Sequence, residues 1–190
     1  MKIFRYILCA ILFLQVSDLL AGQWSEAYEV MYRFDVIVTY KAKLDGDVLL
    51  IEATHASEWH TYSMDNIERA RKKSGKEDPE TELPTRIEIS GGLKVSGNWY
   101  QTDPIELSQP EILWYTWGFE KVSLFAVKVE RTEGKEVKIT INGQACNETL
   151  CSMVDDAAIL LPLPTKEKFA SENKYSEFDF SSLVKVFHTR

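Results

Sequence analysis

The strongest constraint on the fold is a two-residue rhythm of apolar side chains, repeated in short runs between turn-forming residues. Over residues 30–41, Val30, Tyr32, Phe34, Val36, Val38 and Tyr40 share one parity, and Arg33, Asp35, Thr39 and Lys41 fall on the other. Successive side chains of an extended chain point to opposite faces, so this pattern predicts one long strand with a wet face. Leu44-Asp45-Gly46-Asp47 predicts a tight hairpin turn, with the return strand over residues 48–54. Ile87 and Ile89 alternate before Gly91-Gly92, and Gly97 and Pro104 divide residues 93–108 into short strands. Phe125, Val127 and Val129 alternate next, Glu133-Gly134-Lys135 turns the chain, and Val137, Ile139 and Ile141 alternate again. An apolar final strand is expected over residues 157–163. Residues 66–84 differ, being charged and nearly free of apolar side chains, and read as a short helix over 67–73 followed by a solvated loop. Such a series of strands predicts a mainly β protein, an antiparallel β-sandwich with one short helical insertion.

Composition bounds what such a sandwich can be. With 190 residues, 45% hydrophobic, the chain can bury one core, and a second full domain would be cramped. A net charge of −7 and the absence of a basic stripe with interleaved aromatics exclude an obvious nucleic-acid partner. Residues 1–22 read as a secretory signal: Lys2 and Arg5, then an apolar run over residues 6–14, then the small residues Ala21 and Gly22. That run is too short for a membrane-spanning helix, which needs ~20 residues. The domain is therefore expected over residues 23–165, with no membrane span in the mature chain and a partly ordered tail over residues 166–190. In that tail Phe178, Phe180, Leu183, Val184 and Phe187 are candidate docking residues.

Removal of the signal would discard Cys9 and leave two of the three cysteines, Cys146 and Cys151, in the stretch Gly143-Gln144-Ala145-Cys146-Asn147-Glu148-Thr149-Leu150-Cys151. The two can flank a four-residue hairpin loop. Opposed residues of antiparallel strands lie roughly 4.5–5.5 Å apart at Cα, within the range a disulfide accepts. Closing so short a loop removes only about 2 kcal/mol of unfolded-state entropy, a modest staple for a domain of this size. No Lys, Arg or His lies within residues 146–152, whereas Glu148, Asp155 and Asp156 are acidic, so nothing local favours a thiolate. From the residues alone, a structural staple and a redox site both remain open.

Three stretches, taken in order, carry a resemblance. Glu58-Trp59-His60-Thr61-Tyr62-Ser63, Leu83-Pro84-Thr85-Arg86-Ile87 and the Gly-Gln-Ala-Cys-Asn-x-x-x-Cys stretch resemble segments of the amino-terminal domain of the thiol–disulfide interchange protein DsbD family. The resemblance covers roughly residues 28–164. It implies an immunoglobulin-like sandwich, an exported, periplasmic location and thiol–disulfide exchange with thioredoxin-like redox proteins, as one component of a thiol–disulfide oxidoreductase. It makes Cys151 the exchanging thiol and Cys146 its resolving partner. It also makes the aromatic run Trp114, Tyr115, Trp117, Gly118 and Phe119 a cap that shields the pair, with Gly118 as a hinge, and Trp59, His60 and Tyr62 framework residues. Several departures are evident. Ser152-Met153 replaces the prolines usual after the second cysteine, the acidic residues of the family cap are missing or moved, and residues 66–82 are extra. No polytopic membrane segment or thioredoxin domain follows in the sequence, so a free-standing monomer served by a separate electron donor is expected.

No cofactor and no metal are expected. A site built from Cys146, Cys151, His55 and His60 is disfavoured, because the odd separation of the histidines puts them on opposite faces of an extended segment. Asn147-Glu148-Thr149 fits a glycosylation sequon, which matters only in a eukaryotic secretory pathway. The competing reading is an exported binding module with a purely structural disulfide, using Trp99, Trp114 and Trp117 as its surface.

Overall fold

In a computed structural model, which describes residues 22–172 and 178–187, two antiparallel sheets enclose a shared apolar core. The expected signal segment and Cys9 lie outside the described residues, Gly22 excepted. The first sheet begins with β1 (Tyr28–Tyr32), β2 (Asp35–Asp45) and β3 (Val48–His55). It continues through β9 (Val122–Arg131) and β6 (Leu93–Gln101) to β12 (Val184–Lys185). The second sheet runs from β11 (Cys151–Pro162) through β10 (Glu136–Cys146), β4 (His60–Tyr62) and β8 (Trp117–Glu120) to β7 (Ile105–Glu106). β5 (Arg86–Gly91) pairs with the earlier part of the β10 edge that β4 takes further on. The architecture is the expected immunoglobulin-like β-sandwich, with a short helix, α1 (Asn66–Ser74), inserted between β4 and β5. Among the described residues no helix is long and apolar enough to cross a membrane.

The alternating runs supply the core. Phe125, Val127 and Val129 of β9 face Val137, Ile139 and Ile141 of β10, and none is more than 2% exposed. The long strand expected over residues 30–40 is, by contrast, a hairpin. Arg33 takes a left-handed conformation (φ 58°), β1 folds back on β2, and Phe34 is 95% exposed at its tip. The alternation misled because β2 buries both Ile37 and Val38, so the inward parity changes within the run. β6 likewise runs through Gly97 with an irregular register instead of breaking there, and the last strand of the second sheet begins at Cys151, not near residue 157.

After α2 (Lys166–Glu172), Phe178, Phe180 and Leu183 join Tyr100 and Leu124 in packing against the small cluster of Val48, Leu50 and Ala126, with the Phe180 ring on that of Tyr100. β12 then adds to the β6 edge, Val186 is buried, and the Phe187 N–H donates to the buried carboxylate of Asp65.

Candidate functional site

Cys146 ends β10 and Cys151 begins β11, and the two are register partners joined by a disulfide, with their Cα atoms 4.0 Å apart. The four residues between them close without help from sulfur. The Asn147 N–H donates to the Leu150 carbonyl at 2.9 Å, and Asn147 Oδ1 accepts from the Thr149 N–H, the Thr149 hydroxyl and the Leu150 N–H. Asn147 is thus the loop's internal brace, a local turn-stabilising role common for this residue type. Cys146 is only 2% exposed, while Cys151 is exposed. One sulfur therefore belongs to the protein interior and the other to its surface.

Strand pairing sets what lies beside them. On its other edge β10 pairs with β4, so Cys146 neighbours His60, and His60 neighbours Glu120 of β8. The row Cys151, Cys146, His60, Glu120 faces a groove of about 510 Å³ that Tyr62, Glu82 and Trp114 also line. The adjacent row, Ala145, Thr61 and Phe119, turns into the core. His60 Nε2 meets the Tyr62 hydroxyl at 3.1 Å. Burial holds the His60 imidazole below its ordinary pKa, with Glu120 pulling in the other direction, and burial followed by the charge of Glu82 pushes the Tyr62 phenol up. Both are neutral groups at neutral pH.

His55 belongs elsewhere. Its Nδ1 lies 3.1 Å from the Lys121 carbonyl and its Nε2 2.8 Å from the Thr61 hydroxyl, so the ring donates to the first and accepts from the second. Burial brings its pKa down to about 4, against the hydrogen bond to Lys121. Among the described residues, the donor that approaches both sulfurs is Glu82, whose carboxylate oxygen and the two Sγ atoms all lie within 4.8 Å of one another.

The aromatic run is divided between a loop and the strand β8. Trp114 lines the groove, carried there by a loop that Gln109 and Trp114 close with two backbone hydrogen bonds. Tyr115 and Trp117 are half-buried. Phe119 is 3% exposed and packs edge-to-face on Phe125, ring centres 5.5 Å apart. Gly118 lies within β8, where an added Cβ would stand 2.4 Å from the Thr61 carbonyl, so close approach of β4 requires a glycine there. Trp59 packs at a tilt against Tyr32 at the core's margin, and Trp99 is buried in the core, which removes it from the surface of the competing binding module.

The residues that sequence reasoning missed lie in the stretch read as an insertion. Asn66, fully buried at the start of α1, accepts at Oδ1 from the Trp117 N–H and the Thr116 hydroxyl. Its Nδ2 lies within hydrogen-bonding distance of Thr81 Oγ1, the Glu82 carbonyl and Thr116 Oγ1. The Thr81 hydroxyl in turn donates to the Tyr115 carbonyl. Both ends of the inserted stretch are thereby fixed beneath the aromatic run, and Glu82 is fixed beside the disulfide.

Fold and site together define a class: an antiparallel β-sandwich that presents a half-exposed disulfide at a sheet end, in an acidic groove. Its likeness among solved structures is to the N-terminal periplasmic domain of ScsB from Proteus mirabilis, at a TM-score of 0.54 and 16% identity over 80% of this chain. The chain spans 57% of that chain, so the likeness is one of fold. The DsbD N-terminal domain of Neisseria meningitidis in the reduced form matches at a TM-score of 0.33 and 10% identity, over 64% of this chain and 88% of that one. The GAE domain of GGA2p from Saccharomyces cerevisiae also reaches 0.33, at 7% identity over 72% of this chain and 97% of that one. Two such different proteins at one score show that this level of likeness carries no argument. No protein-family model and no curated protein matches the chain.

Proposed function

We propose that this protein is an exported, periplasmic thiol–disulfide exchange protein that passes reducing equivalents through Cys146 and Cys151 to or from thioredoxin-like partners. The observation that carries the reading is the asymmetry of the pair: an exposed Cys151 bonded to a buried Cys146, on a loop that its own hydrogen bonds already close. A partner thiolate attacks Cys151 Sγ in line with the S–S bond. The bonding pair leaves on Cys146, and a mixed disulfide joins the partner to Cys151. A second partner thiolate then displaces Cys151, so two electrons and two protons reach this protein. The reverse sequence delivers them to an oxidised partner. Among the described residues no Lys or Arg lines the groove, so none of them stabilises the departing thiolate from there. Trp114 and its loop shield the pair, and Trp59, His60 and Tyr62 hold β4 in place beside it.

The test is covalent capture. Cys146→Ser should form a stable mixed disulfide through Cys151 with a thioredoxin reduced to its single attacking cysteine, and Cys151→Ser should not. If neither variant captures that thioredoxin or a glutathione adduct, the pair is a structural cross-link.

A further inference from the structure

Among the described residues, every charged side chain that lines the groove around the pair is acidic, which makes thiolate formation in the reduced protein the chemical difficulty of the site. Glu58, Glu120 and Glu148 face the groove with His60 and Tyr62. Burial lowers the His60 pKa, which makes the imidazole a weaker base, and its Nε2 is engaged with the Tyr62 hydroxyl. Glu120 stands one strand beyond His60, and Glu148 is exposed in the hairpin loop. Glu82 alone among the described carboxylates forms a close triangle with both sulfurs, within 4.8 Å. A separation of this size is spanned directly after a small rotation, or by one water molecule.

We infer that Glu82 is the proton acceptor and donor of the exchange reaction, serving Cys151 and Cys146 in turn. This inference rests on the exchange reading above and adds a residue to it. Glu82 is held for the task from three sides. Its carbonyl accepts from Asn66 Nδ2, the next residue's N–H donates to Gln144 Oε1, and the Gln144 side chain hydrogen-bonds to the Glu82 carboxyl. Gln144 lies two residues before Cys146 on the same face of β10, so the strand that positions the sulfur also positions the carboxylate. Burial raises the carboxyl above its ordinary pKa, against the hydrogen bond from Gln144, which narrows the gap to a thiol.

The steps balance. In the reduced protein the Glu82 carboxylate takes the proton of Cys151 S–H, and the thiolate attacks one sulfur of the partner's disulfide. The partner's other sulfur leaves with the bonding pair and takes the proton from Glu82. The carboxylate, restored, takes the proton of Cys146 S–H. The Cys146 thiolate attacks Cys151 Sγ, and the partner's second sulfur leaves and is protonated by Glu82. The protein's dithiol has become a disulfide, the partner's disulfide a dithiol, and Glu82 is unchanged.

The test is the single-turnover rate of the reduced full chain with oxidised glutathione from pH 5 to 9, for the wild type, Glu82→Gln and Glu82→Asp. Glutamine keeps the size and a contact to Gln144 but cannot accept the proton. Glu82→Gln should lower the rate near pH 6–7 by about tenfold or more and leave the plain titration of a thiol. Glu82→Asp should keep the low-pH limb at reduced amplitude. If Glu82→Gln reacts as fast as the wild type or faster, the carboxylate merely repels thiolates and the inference is overturned, while exchange itself stands. If the wild type fails to react with glutathione and with thioredoxin alike, the exchange reading falls and this inference with it.

Discussion

Two long hairpins of this sandwich, β2–β3 and β10–β11, solve the same problem with different means. β2–β3 turns through Gly46 and Asp47, with Gly46 in the left-handed region (φ 57°), and its eight register pairs run without interruption from Asp45↔Val48 to Val38↔His55. It carries no cross-link. β10–β11 turns through a four-residue loop braced by Asn147, its register shifts between Ile141 and Gly143, and it alone of the two carries a disulfide. The covalent bond stands at the loop end, where closure is already complete, and not at the register shift, where a staple would correct something. Its position follows the groove, not the mechanical need of the hairpin.

If that contrast is right, the core should hold both hairpins more firmly than sulfur holds one. Ile139 of β10 is fully buried between the sheets, and Ile139→Ala should cost about 2–5 kcal/mol in equilibrium unfolding of the oxidised protein. Reducing the disulfide, or replacing both cysteines by serine, should cost about 2 kcal/mol or less, because the loop it closes is short. Denaturant midpoints of the three forms, compared at equal slope, rank the two effects. A disulfide worth more than Ile139 would mean that β10–β11 depends on its cross-link and that the two hairpins differ in strength instead of in chemistry.

Much of this was legible from sequence, and the exceptions have a common cause. The Asp-Gly turn of β2–β3 and the paired runs of β9 and β10 declare themselves locally, since a turn type and a strand face are properties of neighbouring residues. The placement of Cys146 and Cys151 across a four-residue loop is local in the same sense. The hairpin at Arg33-Phe34 has no glycine or proline to mark it, and alternation continues across it by accident of two adjacent buried residues, Ile37 and Val38. The aromatic run looked like one unit, but β8 begins within it, placing Phe119 in the core while Trp114 reaches the groove from the preceding loop. Asn66 and Glu82 were invisible for a different reason. Their partners Trp117, Cys146 and Cys151 lie far along the chain, and a charged stretch that binds such partners is indistinguishable by composition from one that faces only water.

The most direct measurement is the reduction potential of the Cys146–Cys151 pair, obtained by equilibrating the oxidised protein against glutathione and thioredoxin redox buffers. An exchange site must lie within reach of thioredoxin-like partners, in the range of roughly −120 to −270 mV that such proteins span. A pair that remains oxidised in a buffer poised near −300 mV would behave as a structural disulfide and contradict exchange at this hairpin.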